Sequence, residues 1–124
     1  MPPNEPKNIL IVDDDADLRD VLKQVLEDEG HVVAVARNGV EALQYLRNAV
    51  KPQLILLDLM MPTMDGWQFR TEQLKDSGLA EIPVVVLSAT NQLSQRAEPL
   101  HARATLNKPI SIDELLAAVS RFSR

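Results

Sequence analysis

Three short apolar runs, each stopping abruptly at a polar or charged side chain, restrict this chain more than any other feature. Asn8 to Val12 ends at Asp13, Leu54 to Leu57 ends at Asp58, and Pro83 to Leu87 ends at Ser88. Nearly continuous apolar runs of this length read as strands covered on both faces, the pattern of a parallel sheet. Strands of that kind need a crossover between them, and the intervening sequence supplies helical spacing.

Leu18, Val21, Leu22, Val25 and Leu26 recur three and four apart, a helix stripe that Gly30 closes as a residue just past the helix end. His31 to Ala36 reads as a second strand, and Val40, Leu43, Leu46 and Val50 mark a second helix with Asn38 near its start. After Asp58 comes a loop through Gly66, then a helix from about Asp65 to Ser77 with Gly78 beyond it. Gln92 to Leu100 makes a poor helix because Pro99 interrupts the hydrogen-bond ladder, and Ala104 to Asn107 is a short last strand that Lys108 ends. The final helix carries the strongest start signal, an S-x-x-E pair at Ser111 and Glu114 with Ile110 and Leu115 at the staple positions. Its buried face is Leu115, Leu116, Val119 and Phe122. Five strand-then-helix units in one domain imply a doubly wound α/β fold, a parallel sheet with helices on both faces.

The chain has 124 residues, 45% of them hydrophobic, enough for one compact core. Met1 to Lys7 contains three prolines and reads as a disordered arm, leaving residues 8–124 as the domain. No apolar run of about 18 residues is present to span a bilayer, and the amino terminus lacks a signal-peptide stretch, so a cytoplasmic protein without a membrane partner is expected. The absence of cysteine excludes disulfides and thiolate metal sites. A net charge of −5 argues against direct binding of nucleic acid. Residues 89–124 depart locally, with Arg96, Arg103, Lys108, Arg121 and Arg124 against Glu98, Asp113 and Glu114, a net of +2. That segment is a candidate docking face.

Ligands of doubly wound sheets bind outside the carboxyl ends of the strands, where this chain places Asp13, Asp14, Asp58, Ser88 and Lys108. Converging carboxylates would repel by roughly 3 kcal/mol per pair at about 5 Å and an effective dielectric of about 20. A divalent cation relieves that repulsion, and an open, all-oxygen site favours Mg²⁺. Lys108 supplies a fixed positive charge for an incoming phosphoryl group, and the Ser88 hydroxyl can donate to one of its oxygens.

Four segments carry a family resemblance: Ile-Leu-Ile-Val-Asp-Asp-Asp at 9–15, Leu-Leu-Asp-Leu-Met-Met-Pro-Thr-Met-Asp-Gly at 56–66, Val-Leu-Ser-Ala at 86–89 and Asn-Lys-Pro-Ile at 107–110. Over about Asn8 to Phe122 the chain resembles the receiver domain of response regulators. The resemblance implies a flavodoxin-like strand order 2-1-3-4-5, an acyl phosphate at Asp58, and Mg²⁺ held by Asp14 and Asp58 directly, by Asp13 through water, and by the Met60 carbonyl. It further implies that Ser88 turns toward the phosphoryl group, that Lys108 binds it, and that the Lys108–Pro109 peptide is cis. A histidine kinase or phosphotransfer protein is the implied donor, with output through protein contacts as a monomer or a phosphorylation-dependent dimer. The chain is then no enzyme beyond catalysing its own phosphorylation and dephosphorylation. It departs from the family at Thr105, where an aromatic residue is frequent, at His101, where glycine is common, and in a segment between Ser88 and Lys108 about two residues short.

Simpler roles fit some neighbours. Asp15 and Asp17 suit a helix N-terminus, Asp65 an N-cap and Gly66 a turn. Met60, Met61 and Met64 suit loop packing, with Met60 and Thr90 placed to tune the lifetime of the acyl phosphate. His31 and His101 lack ligand spacing and are expected to be solvated. Two rival functions are a haloacid-dehalogenase-type phosphatase using Asp13 in a D-x-D motif, for which the chain is short, and a phosphorylation-independent interaction module.

Overall fold

The computed structural model describes residues 5–48, 50–89 and 101–123. In these residues the elements run β1 (Asn8–Val12), α1 (Ala16–Asp28), β2 (Val32–Ala36), α2 (Gly39–Asn48), β3 (Leu54–Asp58), α3 (Gly66–Lys75), β4 (Val84–Ser88), β5 (Ala104–Asn107) and α4 (Ile112–Phe122). All four strand pairings are parallel, and the order is β2-β1-β3-β4-β5, so the fold is the flavodoxin-like one expected. The expected poor helix from Gln92 to Leu100, together with Thr90, Arg96, Glu98, Pro99 and Arg124, lies outside the described residues, as do Met1 to Asn4 of the expected arm.

Strand pleating divides the core. Leu10, Val12, Ile55, Leu57, Val84 and Val86 pack with Leu43, Leu46 and Phe69 from α2 and α3. Ile9, Ile11, Leu54, Leu56, Val85 and Leu87 pack on the other face with Leu22, Leu26, Leu115 and Val119 from α1 and α4. The four residues Leu54 to Leu57 are fully buried, alternating between the two clusters. Truncating one of them to alanine removes a transfer contribution and opens a cavity, a cost of about 2–5 kcal/mol. That rigidity fixes where Asp58 stands.

Several boundaries differ from the sequence reading, each for a local reason. Val21 is 54% exposed because the α1 stripe is narrower than its spacing suggests, with only Leu22 and Leu26 buried. Val50 is exposed beyond the end of α2. α3 is shorter than expected: Asp65 is its N-cap, in a full capping box with Gln68, and extended backbone at Asp76 ends it. His31 precedes β2 and is buried rather than solvated, its Nδ1 accepting the Lys7 amide at 3.0 Å. Gly30, at φ 93°, closes α1 as expected. Ser111 caps α4, its hydroxyl accepting the Glu114 amide at 3.3 Å, and Ile110 joins Leu115 in the same apolar cluster. Leu116 and Phe122 are only partly buried.

Candidate functional site

Because β1 and β3 are adjacent and in register, Val12 pairs with Leu57 and the residues that follow emerge side by side at the carboxyl edge. The structure thereby brings Asp13, Asp14 and Asp58 together, with one carboxylate oxygen of each within 4.8 Å of the others. Asp13 and Asp58 are buried, while Asp14 is exposed at the rim. β5 carries Lys108 to the same edge, and its Nζ lies 3.0 Å from Asp13 Oδ2 and 3.4 Å from Asp58 Oδ1. Ser88 ends β4 beside Asn107, its carbonyl accepting the Lys108 amide at 2.7 Å. The Lys108–Pro109 peptide is cis.

One ammonium does not neutralise three carboxylates. Burial pushes the Asp58 carboxyl up to about 6, and the nearby Asp13 charge adds to the rise against Lys108 and the Met60 amide. Burial pulls the Lys108 ammonium down, but its contacts with Asp13 and Asp58 prevail and hold it above the usual lysine value. Asp13 Oδ2 is buried without a directed hydrogen bond, so its close approach to Lys108 is a charge contact off the hydrogen-bonding axis. An orphaned carboxylate oxygen beside two more carboxylates is a fitting donor set for a hard cation. Asp13, Asp14 and Asp58 are the side chains that would hold it.

The loop after β3 is held close. The Met60 amide donates to Asp58 Oδ1 at 3.3 Å, while the Met60 side chain is 68% exposed at the rim. Met61 is buried and Met64 is partly buried, so the packing role belongs to those two. Gly66 approaches so tightly that an added Cβ would stand 2.7 Å from the Asp58 carbonyl oxygen and the Leu59 Cα. Any side chain there would displace the segment that carries the acidic group. Asp15 caps α1, accepting the Leu18 amide at 3.2 Å, and Asp17 lies in its first turn, so neither belongs to the carboxylate cluster.

Arg19 is a site neighbour that carries no motif. Its guanidinium donates to the Asp13 carbonyl at 2.7 Å. Arg19 stands six residues after Asp13, one turn into the helix that begins at the site, a place that does not by itself mark it in the sequence. Away from the carboxyl edge, His101 adopts a left-handed φ of 51°, the conformation that makes glycine common at such a position. Thr105 is exposed on β5 opposite Val86. The rival phosphatase requires Asp13 as nucleophile, yet its Oδ1 accepts the Asp15 amide and its Oδ2 lies against Lys108.

Comparison with known proteins gives the family and the fold. The family model described as the response regulator receiver domain matches residues 9–120. The response regulator MprA of Mycobacterium sp. (strain KMS) is 39% identical over 121 residues, 96% of this chain and 51% of the relative. The chain thus spans about half the length of the curated relatives it matches. Among solved structures, the signal receiver domain of a signal transduction histidine kinase from Syntrophus aciditrophicus is 31% identical, with a TM-score of 0.86 over 94% of this chain and 89% of that one. The Vibrio cholerae chemotaxis protein CheY4 is 28% identical, with a TM-score of 0.85 over 95% of this chain and 99% of that one. By fold, by the residues at the strand ends and by these likenesses, the chain belongs to the response regulator receiver family.

Proposed function

We propose that this domain accepts a phosphoryl group on Asp58 from a histidine kinase or phosphotransfer protein and passes the signal on through protein contacts. The observation that carries this reading is the pairing of a buried, under-neutralised carboxylate at the end of β3 with Lys108 Nζ 3.4 Å away and two further carboxylates alongside. An Asp58 oxygen attacks the phosphorus in line, the new O–P bond forming as the bond from phosphorus to the donor nitrogen breaks. Lys108 offers its ammonium to the phosphoryl oxygens, and the Ser88 hydroxyl donates to another of them. When bound by Asp13, Asp14, Asp58 and the Met60 carbonyl, Mg²⁺ supplies neutralisation of the acidic cluster and of the charge arriving with the phosphoryl group.

Receiver domains are generally not classical enzymes, and the chemistry proposed here is directed at the domain itself. Among the described residues no helix is long and apolar enough to cross a membrane, consistent with a proposed cytoplasmic site of action. Residues 8–124 act as the receiver unit, monomeric or dimerising on phosphorylation. The added charge biases a two-state element at the site, with Ser88 the first side chain to respond.

Incubation with a small acyl-phosphate donor and Mg²⁺, followed by intact mass measurement, tests the proposal. A gain of one phosphoryl group that requires the metal and disappears in Asp58→Asn is expected. A folded wild type that gains no phosphoryl group from any donor would overturn the reading and favour an interaction module independent of phosphorylation.

A further inference from the structure

Asp13 stands where β1 leaves the sheet, so the aim of its carboxylate depends on the backbone of a single residue at a strand-to-loop step. Three of its four polar groups are committed to protein partners. Its amide donates to the Ala36 carbonyl at 3.1 Å, its Oδ1 accepts the Asp15 amide at 2.9 Å, and its carbonyl accepts Arg19 Nη1 at 2.7 Å. The Arg19 amide in turn donates to the Asp15 carbonyl at 2.9 Å. These bonds close a ring: Asp13 holds Asp15, Asp15 holds the Arg19 backbone, and the Arg19 side chain returns to Asp13. The Asp13 amide is tied to β2 outside this ring, and Oδ2 is buried and turned toward Lys108.

We infer that Arg19 is a positioning residue for the Asp13–Asp14 pair, using a charge-assisted bond to the Asp13 carbonyl to fix the backbone that aims both carboxylates. The inference rests on the phosphoryl-acceptor reading for its purpose, although the ring itself does not. A guanidinium suits the task because its charge shortens the bond to a carbonyl and its planar fork is already organised. The Arg19 side chain bonds the Asp13 carbonyl rather than any of the three carboxylates, so it acts through the Asp13 backbone. Outer partners that orient a metal-binding group are worth about 10–100-fold in affinity or activity.

The test compares Arg19→Met, Arg19→Gln and Arg19→Lys with the wild type, whole chain throughout. The first readout is protection of the Asp15 amide by hydrogen exchange without metal, and the second is Mg²⁺ affinity by calorimetry. Arg19→Met is expected to lose Asp15 protection and to bind Mg²⁺ about tenfold more weakly, with Arg19→Lys recovering much of both. Arg19→Gln, a milder change, serves if the methionine variant does not fold, with a smaller loss in the same direction. Wild-type Asp15 protection or wild-type Mg²⁺ affinity in the folded variants would overturn the inference. A lysine variant as impaired as the methionine one would show that positive charge at this place does not support the backbone, and would overturn the charge-assisted inference equally. A wild type that binds Mg²⁺ but takes up no phosphoryl group would break the acceptor reading alone, leaving the affinity comparison in force.

Discussion

At the amino ends of the strands the buried polar side chains are held by directed hydrogen bonds, even where Arg70 stands near the like charge of Arg103, whereas at the carboxyl ends three carboxylates gather around one ammonium. Gln73, fully buried, donates to the Leu79 and Ile82 carbonyls at 2.9 and 3.1 Å and accepts Arg70 Nη1 at 2.9 Å. The Asn8 amide meets Gln53 Oε1 at 2.9 Å, and the Lys7 amide meets His31 Nδ1 at 3.0 Å. At the opposite edge Asp13 Oδ2 lacks a directed donor, and Asp58 is forced upward in pKa by burial and by Asp13. Both ends rest on the same apolar strands, so the difference lies in what each end leaves unsettled. One end holds the fold together; the other stores an electrostatic deficit that a cation or a phosphoryl group can draw upon.

The contrast is broken most forcefully at Gln73. Gln73→Ala leaves two carbonyls and a buried guanidinium bond without their partner and opens a cavity. A loss of about 3 kcal/mol in denaturant stability is expected, with Mg²⁺ affinity unchanged in the protein that remains folded. Loss of metal affinity without loss of stability would erase the division of labour between the two ends.

The opposite sign is expected at Asp58. Its folded pKa, about 6, lies above its ordinary value of 3.8, so its contribution to stability is complete below that ordinary value and is lost as pH rises through about 6. Above that range the metal-free protein carries a charge that folding disfavours. Asp58→Asn is therefore expected to stabilise the metal-free protein by roughly 1–3 kcal/mol at pH 7.5, the gain fading toward pH 4, as read from urea midpoints across pH. Destabilisation at pH 7.5 would mean that Lys108 already settles the deficit.

His31 gives the smallest effect. Burial lowers its pKa despite Glu29, so the neutral, accepting form supports folding above the ordinary value of 6.5, and that support is lost as pH falls through the lowered folded value. His31→Phe is expected to cost about 1 kcal/mol at pH 7.5 and less in acid, measured by the same midpoints. An equal cost at every pH would assign the effect to packing alone.

Legibility in the sequence followed the same division. The strands and the charged groups at their carboxyl ends were readable because continuous apolar runs and abrupt acidic stops are local signals, as at Leu57 and Asp58. The amino-end anchors were not. Arg70 and Gln73 are polar residues on the core side of α3, and nothing in their spacing distinguishes them from solvated ones. His31 was expected in solvent because its partner, the Lys7 amide, lies 24 residues away. Arg19 was missed because its role depends on a backbone carbonyl, which has no sequence signature, whereas Gly66 was read as a turn residue and owes its place to contact with the Asp58 backbone.

The most direct test of the account is to locate the phosphoryl group. After reaction with a small acyl-phosphate donor and Mg²⁺, reduction with borohydride converts an aspartyl phosphate to homoserine, and peptide mass mapping finds the position. The account predicts conversion at Asp58 alone; conversion at Asp13, or at no aspartate of a protein shown to be folded and metal-loaded, would contradict it.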